Sequence, residues 1–240
     1  MRHYYFVQPA LPALQLGVVP EISFHDLMDL LYDNLAPEDF KQVQTICRWI
    51  DVQNIAALAL GKPLDIRGNL SSVTLPEAIA EQAGLPDYIL DVTGKYEGEE
   101  LLRHHGEIAA RFFQVEIGRA EGFLKEYLEF ERQWRLILLA LRAKGRDVRQ
   151  ELQYEDPSDR LVQQILAGDV KGYEPPEEYA ELGVLFREHT DDPMALYRGL
   201  AEYRWRKVDG LLEGDVFLLR NLLGYVVKHM IAQDWMRGSA

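Results

Sequence analysis

The sequence predicts an all-α fold, a helical bundle with at most a short N-terminal strand, and three observations predict it. Apolar residues recur at spacings of three and four along most of the chain; Ser, Asp and Pro stand where those stretches begin; and no series of alternating strands interrupts them. With 240 residues, 48% of them apolar, the chain can bury a sizeable core.

The elements follow in order. Tyr4-Tyr5-Phe6-Val7 is β-prone and precedes Pro9, which makes it the strand candidate. Ser23 is placed to cap a first helix, with Asp26 three residues on and Phe24, Leu27, Leu30 and Leu31 as its buried stripe. Pro37 opens a second helix, because the first turn has no use for the missing N–H, and Phe40, Val43, Ile46 and Ile50 keep helical spacing. Asp51 is placed to cap a continuation of it that ends near Gly61. Pro76 opens a short helix that Gly84 stops, and Pro86 restarts the chain. Phe123, Tyr127, Phe130, Trp134, Ile137 and Leu141 then form the seam of a long packed helix. Ile108, Phe112 and Val115 extend that pattern upstream, with Gly118 and Gly122 as bends. Ser158 caps a helix carrying Leu161, Val162, Ile165 and Leu166, ended by Gly168. Pro175-Pro176 and Asp192-Pro193 start two more, the second bearing Leu196, Leu200, Tyr203 and Val208. The last runs from about Asp215 to Trp235.

Charge narrows the partners. A formal charge of −13 repels DNA, RNA and anionic lipid, so nucleic acid is not an expected partner. The 6 basic and 13 acidic residues between Arg146 and Arg198 carry a net −7 of it, which marks that stretch as mostly solvated surface. Met1 to Leu16 is apolar, but its prolines and early polar residues argue against a signal peptide. Even Phe217 to Trp235, the greasiest stretch, is broken by Arg220, Asn221, Lys228, His229 and Asp234, so no membrane insertion is expected. The one cysteine, Cys47, excludes an internal disulfide, fits a reducing cytosol, and reads as a small buried hydrophobe.

No cofactor is expected, and no residues declare a catalytic centre. Gly61-Lys62 runs into Pro63 and Gly94-Lys95 into Tyr96, so neither forms a phosphate-cradling loop. A Gly-x-Ser-x-Gly elbow, a His-Glu-x-x-His pair and a Gly-x-Gly-x-x-Gly turn are all lacking. Glu100, His104, His105 and Glu107 make the one cluster with metal-ligand residue types, since positions four apart share a helix face. Adjacent histidines diverge by about 100° on a helix, however, so the cluster reads first as surface. His25, His189 and His229 are isolated and read as surface or edge residues.

Three apolar helices carry an acid near positions 51, 131 and 215: Asp51, Glu131 and Asp215, spaced by 80 and 84 residues. Either the preference of acids for helix N-termini or a threefold repeat, with units of about 20–95, 96–170 and 171–240 in one helical domain, accounts for this echo. Trp134 and Leu218 stand in the second and third copies where Asn54 stands in the first.

The opening Tyr4-Tyr5-Phe6-Val7 with Leu11-Pro12-x-Leu14, the Asp51-x-x-Asn54-Ile55 motif, Phe130-Glu131 on a helix ending in Leu141-Arg142, and the closing Leu222-Leu223-Gly224-Tyr225-x-x-Lys228 with Trp235 resemble an uncharacterised bacterial family encoded beside V/A-type ATP synthase genes. That family in turn resembles the rotary ATPase component lettered C in archaeal and bacterial enzymes and d in eukaryotic ones, an all-helical pseudo-threefold funnel. The resemblance implies a non-catalytic element of the central stalk in ion or proton transport, whose partners are the central shaft and the membrane rotor ring. It implies a cytoplasmic protein held at the inner membrane through protein contacts. An assembly factor or adaptor of the same complex is the second reading, and a metal-dependent enzyme using Glu100, His104 and His105 the third. The signature residues are expected to act mainly in structure. Asp51 would cap a helix and Asn54 support its first turn, while Tyr225 and Trp235 would pack with polar tips near water and Lys228 would lay its stem over an apolar face.

Overall fold

Side-chain caps and prolines set several of the helix starts in the structure, a computed structural model that describes residues 3–143, 148–167, 173–212 and 218–237. The Ser23 hydroxyl accepts the Asp26 N–H at 3.1 Å and starts α1, Phe24–Asn34. Pro37 occupies the first turn of α2, Pro37–Ala59. This helix runs through Asp51 without a break and ends in a Schellman arrangement, with Lys62 N–H on Ala57 O at 2.9 Å and Gly61 N–H on Leu58 O at 3.0 Å. Gly61 makes that ending by adopting φ +63, which side chains disfavour.

Short helices α3, Thr74–Ala80, and α4, Asp87–Thr93, lead into two long ones, α5, Gly98–Arg119, and α6, Gly122–Ala143. The upstream apolar pattern therefore belongs to a separate helix: the chain turns extended at Ala120, and Gly118 stays helical. The remaining helices are α7 (Arg149–Leu152), α8 (Arg160–Ala167), α9 (Ala180–Glu188), α10 (Pro193–Gly210) and α11 (Leu219–Arg237). Asp192 caps α10 through Met194 and Ala195 N–H. Asp159, not Ser158, caps α8, because its carboxylate takes the Leu161 and Val162 N–H groups while Ser158 bonds back to Asp156. Gly168, the expected stop of α8, lies outside the described residues. Pro76 lies inside the first turn of α3 instead of opening it; the Ser71 hydroxyl accepts the Val73 and Thr74 N–H groups there.

The N-terminal strand does not form. Tyr4–Val7 is a turn that rolls into a 3-10 helix at Gln8–Ala10, with Ala10 N–H on Val7 O at 3.0 Å. Its β trace is an isolated bridge from His3 to Leu218, since no strand among the described residues offers it a ladder.

One hydrophobic core runs from Val7 to Ile231, with α2, α5, α6 and α11 at its centre. The last of these is buried on nearly every side, from Asn221 to Ala232, its polar Asn221 and His229 included. A smaller cluster joins Leu136 and Ala140 of α6 to Val148, Leu152, Val162 and Ile165. Among the described residues no helix is long and apolar enough to cross a membrane.

Candidate functional site

Charged residues on apolar stripes locate the site. A charge inside a packed seam is tolerated only with a partner, so each marks a place where two elements are tied. Glu116, Glu131, Glu155 and Asp51 are all buried, and each has a distinct set of donors.

The first tie is built by the Asp51-x-x-Asn54 signature. Asp51 lies inside α2, where it accepts Leu70 N–H at 3.1 Å and the Asn69 side-chain amide at 2.7 Å. Asn54 clamps the Asp65 backbone from both sides, donating to its carbonyl at 2.8 Å and accepting its N–H at 2.7 Å. The expected helix-capping roles are thereby corrected: both residues are in mid-helix, and their side chains serve the loop 65–70. That loop reaches across to α11. Arg67, 3% exposed, donates to Asp65 at 2.9 Å and to Met230 O at 2.9 Å, and pairs with Asp234 at 2.6 Å. Arg237 joins Asp65 at 2.7 Å. Although burial pushes the Asp65 carboxyl upward, the Arg67 and Arg237 guanidinium groups hold it well below the usual carboxylate range.

Beside this tie opens a cleft of about 350 Å³ between α2, α6, α10 and α11, walled by Trp49, Ile50, Trp134 and Met230 and by the charged groups of Glu131, Arg204, Arg67 and Asp234. Glu131 pairs with Arg204, whose guanidinium lies 5.8 Å over the Trp134 ring. Burial raises the Glu131 carboxyl and Arg204 offsets part of that rise. Phe130 packs against Trp134 at 6.1 Å, so the Phe130-Glu131 motif supplies one apolar and one charged contact to the same wall.

Two further ties complete the frame. Glu116 accepts from Arg48 at 3.1 Å and from the Tyr88 hydroxyl at 2.8 Å, joining α5 to α2 and α4. Glu155 takes Arg132 at 2.8 Å and also Arg135, and Arg132 reaches Asp159 at 2.9 Å.

The other signature residues are dispersed. The Tyr4 hydroxyl donates to Asp39, and Tyr5 is exposed and stacked on His3. Tyr225 donates to Pro12 O at 2.9 Å, which ties α11 to the N-terminal segment. Lys228 sits 4.2 Å over the Trp205 ring and pairs with Asp209 at 2.6 Å. The Trp235 indole lies against Gly17 and faces Arg198 at 5.9 Å. Asp215 lies outside the described residues.

Of the histidine cluster only His104 and Glu107 come together, at 3.7 Å. His104 stacks on Tyr96 at 3.7 Å and bonds the Tyr154 hydroxyl at 2.8 Å, Glu107 pairs with Arg111 at 2.6 Å, and Glu100 is exposed. His105 turns inward to donate to Val52 O at 2.8 Å. His104, His105 and Glu107 are half-buried, not the solvated surface their charges suggest. His229, expected at an edge, is fully buried and donates to Ile22 O at 2.9 Å. No group of three or more His, Cys, Asp or Glu that could share a metal ion occurs among the described residues.

Arg67, Arg204, Asp65 and Asp234 are the site residues that sequence reading missed. Arg204 carried a usable signal, since it lies four residues from both Leu200 and Val208 on the buried stripe of α10. Arg67 carried none, because a loop has no period against which an inward charge stands out.

The chain belongs to the DUF2764 family of proteins of unknown function, which matches it over residues 1–239. It is 29% identical to an uncharacterized protein of Chlamydia pneumoniae over 235 residues, covering 92% of this chain and 88% of that one. An uncharacterized protein of Chlamydia muridarum is 26% identical over 242 residues, covering 97% and 91%. One from Chlamydia trachomatis serovar D is 27% identical, covering 92% and 88%. No solved structure matches the chain.

Proposed function

We propose that this chain is a non-catalytic part of a V/A-type ATPase, a central-stalk element that links the rotor shaft to the membrane rotor ring and is held at the inner membrane through those protein contacts. The observation that carries the non-catalytic half of this reading is the use made of the signature residues. Asp51 and Asn54 direct their hydrogen bonds to bracing the loop 65–70 against α2, and Glu131 pairs through one carboxylate oxygen with Arg204. Ties of this kind stiffen a helical body, which is what a part that transmits force requires. The rotary half rests on the motifs, spread from Tyr4 to Trp235, that resemble a family encoded beside V/A-type ATP synthase genes.

Co-expression with the shaft and ring subunits, followed by purification of the active complex, tests the reading. Stoichiometric recovery of the chain in a complex that couples ATP hydrolysis to ion movement is the expected result. Recovery only from immature complexes would make it an assembly factor or adaptor, and recovery from neither would overturn the proposal. The metal-enzyme reading is less favoured, because His104 meets Glu107 and Tyr154 while His105 bonds Val52 O and Glu100 is exposed.

A further inference from the structure

Helix α1 carries two stripes besides the one it sends into the core. Leu27 and Leu31 go into the core, whereas Phe24, Met28 and Tyr32, each four residues apart, follow one line from the buried end of the helix outward, and Tyr32 is 69% exposed. Asp26, Asp29 and Asp33, all exposed, follow a second line beside it. Phe24 and Met28 form one wall of a groove of about 500 Å³ whose other wall is Phe40 and Val43 of α2, with Cys47 at its floor.

The rim of this groove is Ile66, which is 83% exposed. An isolated exposed isoleucine on a loop free to move would need no explanation. Here both neighbours are fixed: Asp65 is clamped by Asn54 and Arg237, and Arg67 is buried against Met230 O and Asp234. The signature motif thus holds an apolar side chain rigidly in water at the edge of an apolar groove, a pre-organised contact that loses little freedom on binding.

Charge selects the occupant. No Lys or Arg lines the groove, and Asp26, Asp29 and Asp33 run exposed along α1 beside it. A second copy of this surface, or an anionic membrane, would meet it with like charge. A helix with one apolar and one basic face meets both the groove and its rim. We propose that the α1–α2 groove, with Ile66 as its rim, docks a basic amphipathic helix of a protein partner. The proposal deepens the reading of this chain as a contact-making part and rests on it.

The test uses the full chain and a synthetic peptide of about 18 residues, a Leu/Lys amphipathic helix, titrated calorimetrically at about 150 mM salt, where long-range charge attraction is largely screened. Expected is one-to-one binding that the Met28→Gln, Ile66→Asn double variant weakens at least tenfold, with no change in net charge and unaltered circular dichroism. The matching Leu/Glu peptide should not bind. Equal binding by the variant would reduce the interaction to charge attraction and overturn the proposal, as would absence of binding or binding of several peptides.

Co-purification with the shaft and ring subunits separates this surface from the wider reading. Wild type retained and variant lost supports the groove as the partner surface. Both retained refutes the groove while the rotary reading stands. Loss of wild type as well refutes the rotary reading, and the peptide titration then judges the groove by itself.

Discussion

Gly68 faces the carboxylate of Asp51 so closely that a Cβ on the glycine would overlap Oδ1. The overlap is with a buried group held by Leu70 N–H and Asn69, so it cannot be relieved by a small side-chain shift. Gly68→Ala and Asn54→Ala are each expected to destabilise the fold by about 1–3 kcal/mol, the cost of leaving a buried polar group without its partners. Urea unfolding with an unchanged slope would show this, and a midpoint equal to wild type for both variants would remove the bracing role assigned to the motif.

Glu131 and Arg204 should behave as a unit. Removing the cation alone, as Arg204→Met, strands a buried carboxylate and is expected to cost about 3–5 kcal/mol. Replacing both, as Glu131→Met with Arg204→Met, should recover most of that loss because an apolar pair needs no desolvation. A double-mutant cycle read by denaturant midpoints decides it, and simple additivity of the two single losses would contradict the pairing.

Acid should weaken the fold through two histidines. His105 and His229 each donate one ring N–H to a backbone carbonyl, and the Nδ1 of His229 is buried with no partner. Burial lowers both imidazoles below their ordinary value. In the unfolded chain they titrate near pH ~6.5. Below that pH the unfolded state binds more protons, so stability is complete above about pH 6.5, falls as pH drops beneath it, and levels off under the folded-state pKa. Asp51 and Glu131, raised by burial, act in the opposite sense at lower pH, because their cost is relieved when they protonate. The histidine part is isolated by comparing wild type with the His105→Gln, His229→Gln double variant between about pH 8 and 5.5, a window that brackets the unfolded-state value. The midpoint should fall in wild type and stay nearly level in the variant.

Cys47 should be inert in the native state. It is 3% exposed, and burial pushes its thiol up to about 12, aided by the charge of Asp51. Iodoacetamide at about pH 8 is expected to modify it only as fast as the chain opens, which mass spectrometry across a urea series would follow. Rapid labelling without denaturant would contradict the burial.

Helix positions were legible wherever a seam met a cap or a proline: Phe123 through Leu141, Ser23, Pro37 and Asp192 lie where the pattern puts them. The strand at Tyr4–Val7 was not, because β propensity describes fitness for a ladder and no partner strand among the described residues makes one. Asp51 was misread for a related reason. An acid before an apolar run is ordinarily a cap, and only the fold discloses that the loop 65–70 returns to occupy it from the side. The buried acids at Glu116 and Glu131 sit on inward registers that the sequence displays, yet their partners Arg48 and Arg204 are 68 and 73 residues away, a distance no local pattern bridges.

The reach of Arg67 across 163 residues to Met230 has a consequence for biosynthesis. The loop that it anchors emerges from the ribosome early, whereas α11, which supplies Met230 O and Asp234, is translated after every other helix described. Until then the guanidinium lacks those acceptors and the centre of the bundle lacks its most enclosed helix. The nascent bundle therefore closes only once α11 has left the exit tunnel, and premature termination anywhere before that helix leaves a product with an open, aggregation-prone interior.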